Sequence, residues 1–288
     1  MLARTIEVTR RYGDTLALDG VSLDIAKGGV VGLLGPNGAG KSTLINLLVG
    51  LRRPTSGRVE LFGGDPRDPG NRRRIGVTPQ ETGLPSTLRV RECAEFVASH
   101  FADAVPPSEL LQKFGLEEVA KRQTGGLSGG QRRRLAVALA FAGRPELVFL
   151  DEPTTGLDVE ARRGLWEAVR EFADDGGTVL LTSHYLEEIE ALADRVVVVG
   201  RGRVLADDTV PAIRAMVGMH RVSLATTALP TLDNVVGIEE ADGRTSLLTP
   251  DADRLVRDLV QAGVPFTGLQ VQPTTLEEAF LTLTGAEQ

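Results

Sequence analysis

Nine residues, Gly35-Pro36-Asn37-Gly38-Ala39-Gly40-Lys41-Ser42-Thr43, constrain this 288-residue chain more than any other stretch. They follow Gly29-Val30-Val31-Gly32-Leu33-Leu34, an unbroken apolar run that reads as a buried strand, and lead into Ser42–Gly50, an apolar helix. Strand, glycine-rich loop and helix in this order make a cradle for nucleotide phosphates. Gly35, Gly38 and Gly40 let the backbone turn tightly and aim successive N–H groups at one anion. The helix beginning near Lys41 turns its positive end toward the same point. Lys41 adds a mobile cation for the outer phosphates, and Ser42 offers a hydroxyl to Mg²⁺.

The rest of the chain is organised around that unit. Thr5–Thr9 and Val21–Ile25 alternate as strands, with a turn at Arg10–Asp14 between them, and Arg58–Phe62 reads as a further strand. A helical pattern runs from about Val90 to Arg122, broken at Pro106-Pro107. The loop Thr124–Gln131 then feeds a helix through Ala142. Strand and helix alternate from Leu147 to Val199, which calls for a mostly parallel sheet with helices on both faces. The pattern changes near Val217-Gly218. Beyond it, His220–Thr226, Thr245–Leu248 and Thr267–Val271 read as strands, and Asp251–Ala262 and Thr274–Leu283 as helices. The expectation is a large domain over 1–217 and a small one over 218–288.

Composition narrows the function classes. A formal charge of −7 and only 4% aromatic residues argue against a nucleic-acid partner. The triplets Arg72–Arg74 and Arg132–Arg134 read as solvated faces. Cys93 stands alone, so it forms no internal disulfide and no cysteine zinc cage, which fits a reducing intracellular compartment. No run of about 18 apolar residues occurs and the first residues carry no leader pattern, so any work at a membrane is expected to go through a partner.

Leu147–Leu150 is an apolar strand that ends in Asp151-Glu152. In an open parallel sheet, ligands sit at the carboxyl ends of the strands. Asp151 is therefore expected to hold the Mg²⁺ that Ser42 also touches, and Glu152 to orient or deprotonate the attacking water.

Leu127-Ser128-Gly129-Gly130-Gln131 is by itself a capped helix start. Read in order with the phosphate loop and Asp151-Glu152, it resembles the signature of the ATP-binding subunits of ABC transporters. The resemblance covers Leu2 to about Leu205. It implies a P-loop α/β cassette with a mostly parallel core sheet, an antiparallel N-terminal β subdomain, a helical subdomain at about 85–142 and a small α+β C-terminal domain. It implies ATP and Mg²⁺ as ligands, and a homodimer with two ATP molecules sandwiched head to tail. Ser128, Gly129, Gly130 and Gln131 would then meet the phosphate held by the other subunit.

By the same resemblance Tyr12 stacks on adenine, and Asn37 and Thr43 belong to the phosphate loop. Gln80 contacts Mg²⁺, Asp158 crosses the dimer interface and His184 reaches the γ-phosphate. The family often has an acidic residue where Gly29 stands. The segment Pro273–Gly285 is similar to endings in drug-exporter ATPases of the daunorubicin/doxorubicin-resistance type. The expected function is a cytoplasmic ATPase, held at the inner face of the membrane by a separate permease, that drives export of a drug or another hydrophobic substrate. The alternative is a soluble ATPase of the same superfamily with no transporter. Such relatives acting on ribosomes usually carry two cassettes, and those acting on DNA ends carry long coiled coils. Neither feature is found here.

Overall fold

The computed structural model describes residues 1–78, 83–183, 185–226, 229–230, 232, 234–241 and 243–285. Its first strands, β1 (Ala3–Tyr12) and β2 (Thr15–Ile25), form a hairpin, and β3 (Gly29–Leu34) enters the phosphate loop and α1 (Lys41–Leu48). β4 (Ser56–Leu61) returns to pair antiparallel with β1, giving a three-stranded sheet in the order β2-β1-β4. The short α2 (Pro69–Arg72) and β5 (Ile75–Thr78) follow. Next come three helices, α3 (Val90–Ala98), α4 (Pro107–Lys113) and α5 (Gly129–Ala140). Pro107 lies at the first position of α4, where its missing N–H costs nothing.

The chain then alternates through β6 (Leu147–Asp151), α6 (Val159–Asp174), β7 (Thr178–Thr182), α7 (Leu186–Leu192), β8 (Arg195–Gly200) and β9 (Arg203–Asp208). A six-stranded sheet results, in the order β5-β6-β7-β3-β8-β9, with β5, β6, β7, β3 and β8 all parallel. Every residue of β6 and of β7 is buried, which is why these strands are apolar without alternation. Leu33, Leu44, Leu48, Phe149, Leu180 and Val197 share one core with the antiparallel sheet. Burial of each such side chain contributes about 1.5–3 kcal/mol.

Register positions the site. Asp151 lies opposite Thr182 on one side, and Thr182 lies beside Leu33 on the other. The carboxyl ends of β6, β7 and β3 therefore finish together, next to the loop that starts at Gly35.

The chain divides into two compact units, Met1–Asp207 and Asp208–Gln288. The second contains α8 (Val210–Met216), β10 (His220–Thr226), β11 (Gly237–Ala241), β12 (Arg244–Thr249), α9 (Ala252–Gln261), β13 (Phe266–Pro273) and α10 (Leu276–Thr284). Its antiparallel sheet has the order β11-β12-β10-β13. Leu255 and Leu259 of α9 pack on Val222, Leu224 and Leu247. Sequence patterning left α8 before the boundary, whereas the units divide ahead of it and α8 packs on α10. Patterning also passed over β11. That strand sits at the sheet edge with Ile238, Glu239, Glu240 and Ala241 all exposed, so it shows no alternation to read.

Candidate functional site: the phosphate loop and the strand ends

Close packing dictates the small residues of the loop. A Cβ on Gly40 would fall 2.5 Å from the carbonyl oxygen of Ala17, and Gly40 also has φ +104°, a conformation that disfavours side chains. Gly40 caps α1 with no side-chain bond, so the first N–H groups of that helix remain for a ligand. The Lys41 side chain is 7% exposed and folds back over the loop, Nζ donating to the carbonyls of Gly35 at 2.6 Å and Pro36 at 3.1 Å. Burial pulls its pKa down, against the charges of Glu152 and Asp151, which hold it up. A cavity of about 360 Å³ opens here, lined by Ala17, Asn37 to Thr43 and Glu152. Bare N–H groups, an ammonium and two hydroxyls thus face a carboxylate across one small space, a setting suited to a polyphosphate.

The carboxylates are held by a buried network. Asp151 and Glu152 are 6% and 9% exposed. Thr182 Oγ1 donates to Asp151 Oδ1 at 2.6 Å and accepts from the Glu152 N–H at 3.0 Å, so one hydroxyl fixes both residues. Glu152 has φ +53°, a left-handed conformation costly for any residue but glycine. Arg133, on α5, donates to the main-chain carbonyls of Asp151 and Glu152, the latter at 3.0 Å. Burial lowers the pKa of Arg133, while Asp151, Glu152 and Glu188 raise it.

Arg133 corrects the expectation of a solvated triplet. Arg72, Arg73 and Arg74 are exposed, but Arg133 is 6% exposed. The signal was present in the spacing: Arg133, Ala136, Val137 and Ala140 fall on one helical stripe and are all buried. Thr182 and Ala17 were also passed over, and no local pattern marks either of them.

Ser128 caps α5 through a reciprocal pair, its Oγ accepting from the Gln131 N–H and the Gln131 Oε1 accepting from the Ser128 N–H, both at 3.1 Å. A Cβ on Gly130 would stand 3.2 Å from the carbonyl oxygen of Gly156, so the signature turn abuts Gly156-Leu157-Asp158. Asp158 caps α6 by accepting from the Ala161 N–H at 2.8 Å. None of Ser128, Gly129, Gly130 and Asp158 lines the phosphate-loop cavity. Tyr12 ends β1 with its ring 41% exposed, and the Arg10 guanidinium lies 4.5 Å from the ring centroid. Gln80 and His184 lie outside the described residues.

The donor set suits a hard divalent cation. Ser42 and Asp151 supply oxygen only, Asp151 with one oxygen already committed to Thr182. Magnesium takes few protein ligands and completes its shell with phosphate and water. No cluster of three or more histidine, cysteine or acidic residues able to hold a metal by itself occurs among the described residues. No helix among them is long and apolar enough to cross a membrane.

Known proteins resemble this chain in sequence and fold. The ABC transporter family model matches residues 18–155. A daunorubicin resistance ATP-binding protein of Streptomyces coeruleorubidus is 40% identical, with 97% of this chain and 94% of that protein aligned. A Nod factor export ATP-binding protein of Burkholderia thailandensis is 36% identical over 98% of this chain and 96% of its own. Among solved structures, an ATP-binding subunit of an ABC transporter superposes with TM-score 0.70 at 30% identity, over 76% of this chain and 94% of that one. A dimeric post-hydrolysis ATP-binding cassette bound to ADP and Pi gives TM-score 0.66 at 27% identity, over 72% of this chain and 98% of its own. With nearly full-length relatives at this identity, and with a glycine loop facing a carboxylate-tipped strand on the same fold, the chain belongs to the ABC transporter family as an ATP-binding, ATP-hydrolysing subunit.

Proposed function

We propose that two copies of this chain close head to tail on two ATP molecules and drive a separate membrane permease that exports a drug or another hydrophobic compound. The observation that carries the dimer is the separation of parts within one copy. Asn37–Thr43 and Glu152 share a cavity, while Ser128, Gly129 and Gly130 do not line it. A second copy supplies the missing contacts: the bare N–H groups at the start of α5 meet the γ-phosphate held by the partner's loop. The dimeric cassette of the same fold supports this reading, and the drug-resistance and Nod-factor-export names of the relatives support export. The chain is then cytoplasmic, held at the membrane's inner face by the permease.

In the proposed reaction, Tyr12 stacks on the adenine and the amides of Gly35–Thr43 bind the phosphates. Lys41 moves from the Gly35 and Pro36 carbonyls to the β- and γ-phosphates. Ser42, Asp151 and Gln80 would hold Mg²⁺, which supplies charge neutralisation on the phosphate oxygens. Glu152 orients the attacking water and draws its proton, and His184 steadies the γ-phosphate. Gln131 keeps the signature turn in its capped form, and Asp158 meets the opposite subunit. The unit Met1–Asp207 acts as the ATP-binding domain, and Asp208–Gln288 as an accessory domain that contributes to dimer contact.

Glu152→Gln tests this reading. The variant is expected to bind ATP, sediment as a dimer with ATP present, and turn over at least about a hundredfold more slowly. Normal turnover, or a monomer under those conditions, would overturn it. For the transporter, the protein is purified from native membranes in mild detergent. Recovery of a polytopic membrane protein in matching amount supports the permease, and recovery alone or with ribosomes overturns it.

A further inference from the structure

Glu188 plays no part in the reaction above, yet its side chain is 0% exposed, deeper than either Asp151 or Glu152. It lies in the first turn of α7. Thr154 Oγ1 donates to its carboxylate at 3.0 Å and Trp166 Nε1 at 3.1 Å, and Ser183 adds a further hydrogen bond. These donors come from three places: the turn after β6, the helix α6 and the end of β7. Burial pushes the Glu188 carboxyl up, and the bonds from Ser183, Thr154 and Trp166, with the charge of Arg162, pull it back. Stability alone does not account for a carboxylate here, because a well-packed apolar side chain serves a core as well or better.

The geometry around Glu152 supplies a reason. Its left-handed backbone, φ +53°, persists only if its surroundings hold it. Thr182 holds its N–H and Arg133 its carbonyl. Two residues on, the next fixed point is Thr154, and the group that fixes it is Glu188. The other end of the same link is Ser183, adjacent to the Thr182 that grips Asp151.

We propose that Glu188 is a positioning residue for hydrolysis: bonded to both Thr154 and Ser183, it locks the turn that leaves Glu152 against the end of β7 and so sets the aim of the Glu152 carboxylate. The inference rests on the reading of Glu152 as the group that handles the water.

The test uses the full chain with Glu188→Gln, Thr154→Val and the pair combined. Glutamine keeps the size of Glu188 but sets an N–H₂ group among donors. Trp166 is the chain's single tryptophan, so its emission reports directly on the Glu188 contact. Glu188→Gln is expected to lower kcat about tenfold or more, with KM and affinity for a fluorescent ATP analogue changed less than about twofold. Its Trp166 emission shifts. Thr154→Val gives a smaller fall in kcat, and the double variant is no slower than Glu188→Gln alone.

A shifted emission with kcat within about twofold of wild type overturns the proposal, as does a rise in KM that accounts for the whole loss. Additive effects in the double variant overturn it too. If Glu188→Gln does not fold, Thr154→Val decides: a lower kcat at unchanged KM supports the link, and an unchanged kcat overturns it. Glu152→Gln is measured alongside. Should that variant turn over normally, the role of Glu152 falls. Should it be inactive while Glu188→Gln is normal, the present inference falls alone.

Discussion

The Arg133 guanidinium donates to the main-chain carbonyls of both Asp151 and Glu152, tying the helix that begins at Ser128 to the end of the carboxylate strand. The helix that Ser128 caps is thereby bonded to the backbone of both carboxylate residues in one chain. Arg133→Met keeps the aliphatic stem but withdraws the donor from two buried carbonyls. The expected cost is about 2–3 kcal/mol of stability, read from denaturant unfolding. A fall in kcat larger than the fall in ATP affinity is expected beside it. Unchanged stability would show that those carbonyls do not depend on Arg133.

Lys41 bonds to the Gly35 and Pro36 carbonyls, which are loop groups and no part of the core. Lys41→Ala is therefore expected to leave the unfolding free energy within about 1 kcal/mol of wild type while ATP affinity drops at least about tenfold and hydrolysis is lost. Calorimetric titration with ATP checks the affinity. Wild-type affinity would remove Lys41 from phosphate binding.

Two glycines of the loop separate strain from crowding. Gly38 has φ +79° with open space around its Cα, whereas Gly40 has φ +104° and a carbonyl oxygen of β2 where a Cβ would stand. Gly38→Ala is expected to cost about 1–2 kcal/mol, the backbone penalty alone. Gly40→Ala adds a clash with Ala17 and is expected to cost more and to abolish nucleotide binding. Equal effects of the two substitutions would contradict this assignment.

In the second unit, Arg221 donates to Glu278 at 2.5 and 3.0 Å and to Glu239 at 2.9 Å, joining β10 to α10 and β11. Burial raises the Glu278 carboxyl, but the Thr275 N–H and the Arg221 guanidinium outweigh it and leave its pKa below the ordinary value. A depressed folded-state pKa contributes stability that is full above the unfolded value and is lost as pH falls through the folded one. Amide exchange in β10 and α10, corrected for intrinsic rates, is expected to speed up on acidification below about pH 4.5. Glu278→Gln should flatten that response. A variant with the same acid sensitivity as wild type would assign the effect elsewhere.

The fold class and the family were legible in the sequence because their signals are local. A loop that must expose N–H groups needs glycine within a few residues of its lysine. A buried parallel strand must be apolar throughout, and a capped helix start needs Ser128 and Gln131 three apart. The edge strand Gly237–Ala241 escaped notice because an exposed strand has no apolar face to announce it. The second unit's boundary escaped for a related reason, since α8 is a short helix assigned only by what it packs on.

The sequence by itself determined the family and the two local units of the candidate site, a glycine-rich loop before a helix and an apolar strand ending in two carboxylates, because each of those signals lies within a few consecutive residues. Only the tertiary structure decided what holds them in place. Thr182 meets Asp151 because two parallel strands share a register, and Arg133 reaches the Asp151 and Glu152 carbonyls because one helical stripe faces the sheet end. Glu188 accepts from Thr154 and Trp166, 34 and 22 residues away along the chain. Hydrogen bonds of that kind depend on distances that exist only after the sheet has assembled, so no spacing in the sequence encodes them.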